Sequence, residues 1–368
     1  MKIALLSFHN AANYGAALQA YALQKVLESK GHESPYIDYQ NAMRRHAYSM
    51  PYQIVSSLKK GQLKSSIAYI IGFPFMYLRK VRFDKFYQRN LAVTPKTYKS
   101  SEEASELNGQ YDKFIVGSDQ VWNPHNNGRD FAFMLDFVKD DSKKISYSSS
   151  FGITQIPSDL VDKYRTNLQK FKHIAVRESI GVKLVKEVSG RDAKLVLDPV
   201  MLMTKEDWLK IVEPIDEKFV FTYTNRDNQF EKFLKQTGYQ YEGKQYKLAR
   251  ATKFGDFLSS KVRVKFCMSP SDFVSSIYSA DLIFTASFHC VAISIVLNKP
   301  FVVILTRNAG KDERLLNLLE LLGLEDRILS EKMTADDVNR VIDYKEVNRK
   351  LEKLRKDSLD YLLNSLAD

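Results

Sequence analysis

Of the six histidines in this chain, His289 has the context best suited to chemistry. It stands in Ser287-Phe288-His289-Cys290, between an apolar strand, Leu282 to Thr285, and an apolar helix, Val291 to Leu297. A strand-to-helix turn of this kind lies at the carboxyl edge of a sheet, where open α/β sheets bind ligands, and the helix that follows favours an anion at its first turn. A histidine there can donate a proton beside a phosphate; the plainer reading is a ring satisfied by backbone groups. Arg177 closes Ile174-Ala175-Val176-Arg177, and its fork matches a carboxylate or a phosphate. The alternative is an internal ion pair with Glu178 or another acid. Asp119 follows Gly117-Ser118, so its carboxylate can be turned into a cleft as a general base, or it can cap the next helix.

Around these three lie residues suited to holding a polyhydroxyl or amide ligand. The loop from His9 to Gly15 offers Asn10, Asn13, Tyr14 and Gly15, or is a plain capped helix entry. Gln120, Trp122 and Asn123 follow Asp119, and Trp122 either stacks on a sugar ring or belongs to the core. Neither a GxGxxG fingerprint nor a phosphate-binding Gly-Lys-Ser/Thr loop is present, and no Gly-x-Ser-x-Gly elbow occurs. His289 lacks the second ligand spacing of a zinc helix, so no metal is expected.

The elements that must position these residues alternate strand and helix. Ile3 to Ser7 reads as a strand, Ala16 to Ser29 as a helix stopped by Gly31, and Tyr36 to Tyr39 as a second strand, a βαβ unit that implies a parallel sheet. Short strands recur at Lys113 to Val116, Lys144 to Ser148, His173 to Val176 and Leu195 to Leu197, each ending in a polar or glycine-bearing loop, the rhythm of a doubly wound sheet. A second series runs through Phe219 to Tyr223, a helix from Asn228 to Gly238, strands near Tyr239 to Lys247 and Val262 to Phe266, a Ser269-capped helix, the Leu282 strand and Phe301 to Leu305. The expected organisation is a first α/β domain over residues 1–212, a second over 213–330, and C-terminal helices over 331–368 that cross back to the first. The two domains are expected to face each other across a cleft, with the acceptor on the first and the donor on the second.

Residues 51–91 form a helical insertion around Lys59-Lys60-Gly61, whose second helix runs from Leu63 to Asn90. Gly72 and Pro74 interrupt its apolar pattern, which favours packing on the domain; the other reading is peripheral membrane contact through residues 67–82. No stretch reaches the roughly 18 apolar residues of a spanning helix. The short apolar start at Met1 to Leu6 argues against a signal peptide, and two cysteines, Cys267 and Cys290, suit a reducing compartment. A cytoplasmic location follows, with a peripheral place at the inner face of the membrane as one option. The net charge of +11 fits an anionic partner, while the absence of zinc-finger spacing, aromatic RNA-binding signature and basic arm argues against nucleic acid.

The order and spacing of the short motifs resemble the polysaccharide pyruvyl transferase family over nearly the whole chain. The resemblance is carried by Phe8 to Ala16 with Leu18 to Leu23, Val116 to Asn123, Ser146-Tyr147 with Ser150-Phe151-Gly152, Val176-Arg177-Glu178, Leu197-Asp198-Pro199, Ser287-Phe288-His289, and Asn298 to Phe301. It implies a two-domain fold like the GT-B glycosyltransferases and transfer of pyruvyl from phosphoenolpyruvate, the donor substrate, to a glycan or lipid-linked sugar as a cyclic ketal, with no cofactor. By motif, His289 matches a histidine near the donor phosphate, Arg177 an arginine gripping the donor anion and Asp119 the acidic residue of the cleft. Some members carry arginine where this chain has Ser287, so a second donor cation is expected from elsewhere; Cys290 replaces the small residue often found after the histidine. The competing expectations are a GT-B glycosyltransferase using a nucleotide sugar and a catalytically silent carbohydrate-binding protein of the same fold.

Overall fold

The computed structural model describes residues 1–47, 50–61, 63–224, 228–248, 254–306 and 309–368. The chain divides into two compact units, Met1–Leu202 with Asp357–Asp368, and Met203–Lys356. The division falls about ten residues before the expected boundary at 212. The last helix, Tyr344–Ala367, begins in the second unit and contributes its end to the first.

The first unit is built on β1 (Ile3–Leu6), β2 (Tyr36–Tyr39), β3 (Val93–Tyr98), β4 (Lys113–Val116) and β5 (Lys144–Ser146), all parallel, in the order β3-β2-β1-β4-β5. A parallel pair, β6 (Ala175–Val176) and β7 (Lys194–Leu195), extends this edge through single bridges Ile145 to His173 and Ser149 to Val176. β1 and β4 read as unbroken apolar runs because helices and loops cover both faces of a parallel sheet, and every residue of both is buried. The strand order reverses between β1 and β4, so the loops after these two strands flank the point where such sheets bind ligands.

β3 has no counterpart in the sequence reading. Pro95 lies inside it, and proline reads as a breaker; on an edge strand its missing N–H has no ladder partner to lose. The first helix, α1 (Tyr14–Ser29), starts two residues earlier than its pattern suggests, because Asn13 accepts a hydrogen bond from the Ala16 N–H and caps it. Between β2 and β3 come α2 (Ala42–Ala47), α3 (Met50–Lys59) and α4 (Leu63–Asn90), with Pro74 inside α4. α4 packs on α1 through Phe83 against Tyr14 and Phe86 against Tyr21.

The second unit repeats the same topology with β8 (Phe219–Tyr223), β9 (Lys244–Leu248), β10 (Val262–Lys265), β11 (Leu282–Thr285) and β12 (Phe301–Val303), parallel in the order β10-β9-β8-β11-β12. β9 begins five residues later than its apolar pattern suggests. Gly243 precedes it at φ +75°, where a Cβ would stand 1.9 Å from the Lys218 carbonyl oxygen, so the chain turns there before it can pair. Phe230, Phe233 and Phe284 make the centre of this unit's core. β11 lies between β8 and β12, with Thr285 opposite Tyr223, so the loop after β11 stands at this sheet's own reversal point.

Candidate active site

The first unit gathers Asp119, Arg177, Glu178 and Asp198 at the carboxyl ends of β4, β6 and β7. Arg177 Nη1 donates to Asp198 Oδ2 at 2.8 Å, Nη2 lies 3.7 Å from Asp119 Oδ1, and Nε lies 3.7 Å from Glu178 Oε2. The side chains of Arg177, Glu178 and Asp198 are at most 2% exposed, whereas Asp119 is 22% exposed, so Asp119 is the member of the cluster that meets solvent. Burial disfavours the Arg177 charge, but Asp198, Glu178 and Asp119 more than offset it, and the guanidinium is held above its usual range. The internal ion pair left open by the sequence is therefore present, with Asp198 as the closest acid.

The supporting shell is dense. Glu178 Oε1 accepts from Ser150 Oγ at 2.7 Å and from the N–H groups of Phe151 and Gly152. Asp198 also accepts from Ser118 Oγ at 3.2 Å and from the Val200 N–H. Ser118 in turn receives Ser7 Oγ on its carbonyl, and Gln19 donates to Ser7 Oγ at 3.0 Å, which ties the β1 loop to the β4 loop across the reversal point. Gly117 sits at φ +135°, and a Cβ there would fall 2.0 Å from the Tyr147 carbonyl oxygen, so the approach of β4 to the Tyr147 strand end demands glycine. Asp119 itself adopts φ +63° and accepts from the Gln120 N–H at 2.8 Å, which points its carboxylate back toward Arg177.

The remaining residues singled out in this unit divide. Asn10 and Gln120 are half-buried, and Gln120 Oε1 accepts from Asn126 Nδ2 at 2.5 Å. Asn13 is committed as the cap of α1. Tyr14 is buried beneath Arg79, whose guanidinium lies 4.9 Å from its ring, and Gly15 is buried in the first turn of the helix. Trp122 is a correction: it has no exposed surface, donates to the Phe133 carbonyl at 2.9 Å and packs on Phe151 and Phe171, so it offers no stacking face. Asn123 is likewise buried, its amide oxygen capping the turn at His125.

In the second unit, His289 lies within the helix Phe288–Val296, which starts three residues before its apolar pattern because Ser287 caps it. Ser287 Oγ accepts from the Cys290 N–H at 3.5 Å, and its own N–H donates to Thr285 Oγ1. Ser287 is thus a helix cap, and its O–H donor is not used in that task. His289 is half-buried, edge-on to Phe288, in the first turn where the helix dipole favours an anion. Cys290 is fully buried, and burial pushes its thiol up to about 12, which removes it as a nucleophile at neutral pH.

Glu178, Asp198, Ser118 and Ser150 went unassigned in the sequence reading of the site. Each stands directly after a strand or in a short loop at the carboxyl edge, and that shared position was the available signal. Among the described residues no group of three or more His, Cys, Asp or Glu side chains is arranged to hold a metal ion.

Twice-repeated parallel sheets of this order define an α/β protein of the GT-B-like class. UDP-GlcNAc 2-epimerase from Neisseria meningitidis, bound to UDP-GlcNAc, superposes over 99% of this chain and 100% of its own with TM-score 0.50 at 10% identity. UDP-N-acetylglucosamine 2-epimerase from Rickettsia bellii does so over 100% and 96% with TM-score 0.48 at 11% identity. The spinosyn forosaminyltransferase SpnP covers 100% of both chains with TM-score 0.45 at 12% identity. No curated protein sequence matches the chain. The chain belongs to the polysaccharide pyruvyl transferase family, whose model matches residues 13–308.

Proposed function

We propose that this transferase moves the pyruvyl group of phosphoenolpyruvate onto a sugar of a polysaccharide or its lipid-linked precursor, as a cyclic ketal. The observation that carries the reading is the contact between Arg177 and Asp119 at the carboxyl edge of the first sheet, in a chain of this family. In this reading C3 of the enol gains a proton and C2 becomes electrophilic. One sugar hydroxyl attacks C2 and gives up its proton, and the C2–O bond to phosphate breaks with its electron pair leaving on phosphate. The second hydroxyl then closes the ketal and gives up the other proton. One acid and one base serve these steps.

Asp119, the solvent-reaching carboxylate, takes the hydroxyl proton, and Arg177 holds it in place. Arg177, itself buried, keeps Nη1 on Asp198 and Nη2 beside Asp119, so it positions Asp119 and lends positive charge to the donor side. His289, at a helix N-terminus, binds the donor phosphate or supplies the proton to C3. Asn10 and Gln120, both half-buried, are the acceptor-side groups that remain.

The test is phosphate release from phosphoenolpyruvate with a panel of soluble and lipid-linked glycans. Asp119→Asn and His289→Ala are expected to lower turnover by roughly 10²-fold or more each, in line with loss of a general acid or base. Unchanged release in both variants would sink the assignment. Thermal stabilisation by a nucleotide diphosphate but not by phosphoenolpyruvate would instead identify a nucleotide-sugar transferase.

A further inference from the structure

α4 packs beside α3 and still leaves an apolar segment largely open to solvent. Ile70, Phe73, Phe75, Met76, Tyr77 and Leu78 are between 39% and 59% exposed. The run from Phe75 to Leu78 with Phe73 spans more than one turn, so its side chains point to every side of the helix. A helix docking on another protein buries one stripe, whereas hydrocarbon meets every side that the protein leaves open. From Ile70 to Leu78 the rise is about 13 Å, less than half of the ~30 Å hydrocarbon core, so the segment can enter one leaflet but cannot span. No described helix is long and apolar enough to cross a membrane.

Charge points to the same occupant. From Tyr39 to Phe83 the sequence has no Asp or Glu and eight Lys or Arg, of which Lys80 pairs with Asp84 just beyond. α3, which packs beside α4, ends on Lys59 with Lys60 next, and it exposes Tyr52, Val55 and Leu58 at a three-residue spacing. Apolar side chains flanked by an excess of cations match an anionic lipid surface. α4 is also tied to the loop after β1, because Arg79 Nη2 donates to the Ala12 carbonyl at 2.9 Å and Tyr87 Oη donates to the Ala11 carbonyl.

We infer that α3 and α4 form a docking surface for an anionic bilayer, inserting residues 70–78 into one leaflet and so fixing the β1 loop, with Asn10, relative to the membrane. This inference stands independently of the pyruvyl-transfer reading. The test is co-sedimentation of the full chain with phosphatidylglycerol/phosphatidylcholine vesicles and with phosphatidylcholine alone, at low salt and at about 0.5 M salt. Binding is expected only with phosphatidylglycerol, and it should weaken in high salt. The exposed quadruple variant Phe75→Ser, Met76→Ser, Tyr77→Ser, Leu78→Ser should lose about tenfold or more in partitioning. Lys59→Glu with Lys60→Glu should lose roughly fivefold per removed cation. Both variants alter exposed positions, so unchanged thermal melting serves as the folding control. Wild type that ignores anionic vesicles overturns the inference, as does a quadruple variant that pellets like wild type. A wild-type dimer that the same variant converts to monomer, without vesicle binding, would assign the surface to a second copy of the chain.

Discussion

Removing Asp198 tests whether the charge cluster is as structural as its burial suggests. Its side chain is fully buried and accepts from a buried guanidinium at 2.8 Å, from Ser118 Oγ and from the Val200 N–H. Asp198→Ala removes a charge-assisted bond and leaves Arg177 with acids only at 3.7 Å, beside two donors that have lost an acceptor. Breaking a buried pair by deleting one partner costs about 3–5 kcal/mol. For a unit of this size that corresponds to a fall in Tm of roughly 6–20 °C. Asp198→Asn keeps an acceptor for Ser118 and Val200, and should cost about 1.5–3 kcal/mol. Arg177→Met with Asp198→Leu removes both charges, so the double variant should be more stable than the sum of the single losses by about 2 kcal/mol or more. Urea melts of Arg177→Met, Asp198→Leu, the double variant and wild type supply the cycle. If Asp198→Ala lies within about 0.5 kcal/mol of wild type, or the cycle closes additively, the cluster is not holding Arg177 and the reasoning fails.

Three further outcomes are expected. Trp122→Phe removes a buried hydrogen bond and leaves a void, so stability should fall by about 2–4 kcal/mol while the acceptor KM stays put; a raised KM at unchanged stability would restore a stacking role. Gly117→Ala places a Cβ 2.0 Å from the Tyr147 carbonyl at φ +135°, and should cost about 3 kcal/mol or more together with activity; a variant as stable as wild type would contradict that geometry. Cys290, raised by burial from an ordinary 9.0 to about 12, holds its proton in the folded chain and loses it in the unfolded chain between those values. Its contribution is therefore complete below pH 9 and is lost as pH rises toward 12, at up to about 1.4 kcal/mol per pH unit. Denaturant melts at rising pH should show a shallower loss in Cys290→Ala than in wild type, and equal slopes would refute the assignment.

The sequence was most legible where a segment satisfies its own backbone and buries itself whatever its neighbours do. β2, β4, β8 and β11 have the bounds their apolar runs suggest, because runs buried on both faces of a parallel sheet carry their own signal. The position of His289, Arg177 and Asp119 at carboxyl edges followed from the same runs. β3 was illegible because its proline is tolerable only at a sheet edge, and edge position belongs to the assembled sheet.

The sequence by itself determined the alternation of strand and helix in two series, the family motifs and the cation-rich apolar insertion. Only the tertiary structure decided which side chains those elements buried. Asp198 is 21 residues from Arg177 along the chain and became its nearest acid, because adjacent parallel connections bring distant loops to one edge. Trp122 became core and Asp119 the exposed carboxylate, although they are three residues apart, because burial depends on what packs above a loop and local residue types do not record that.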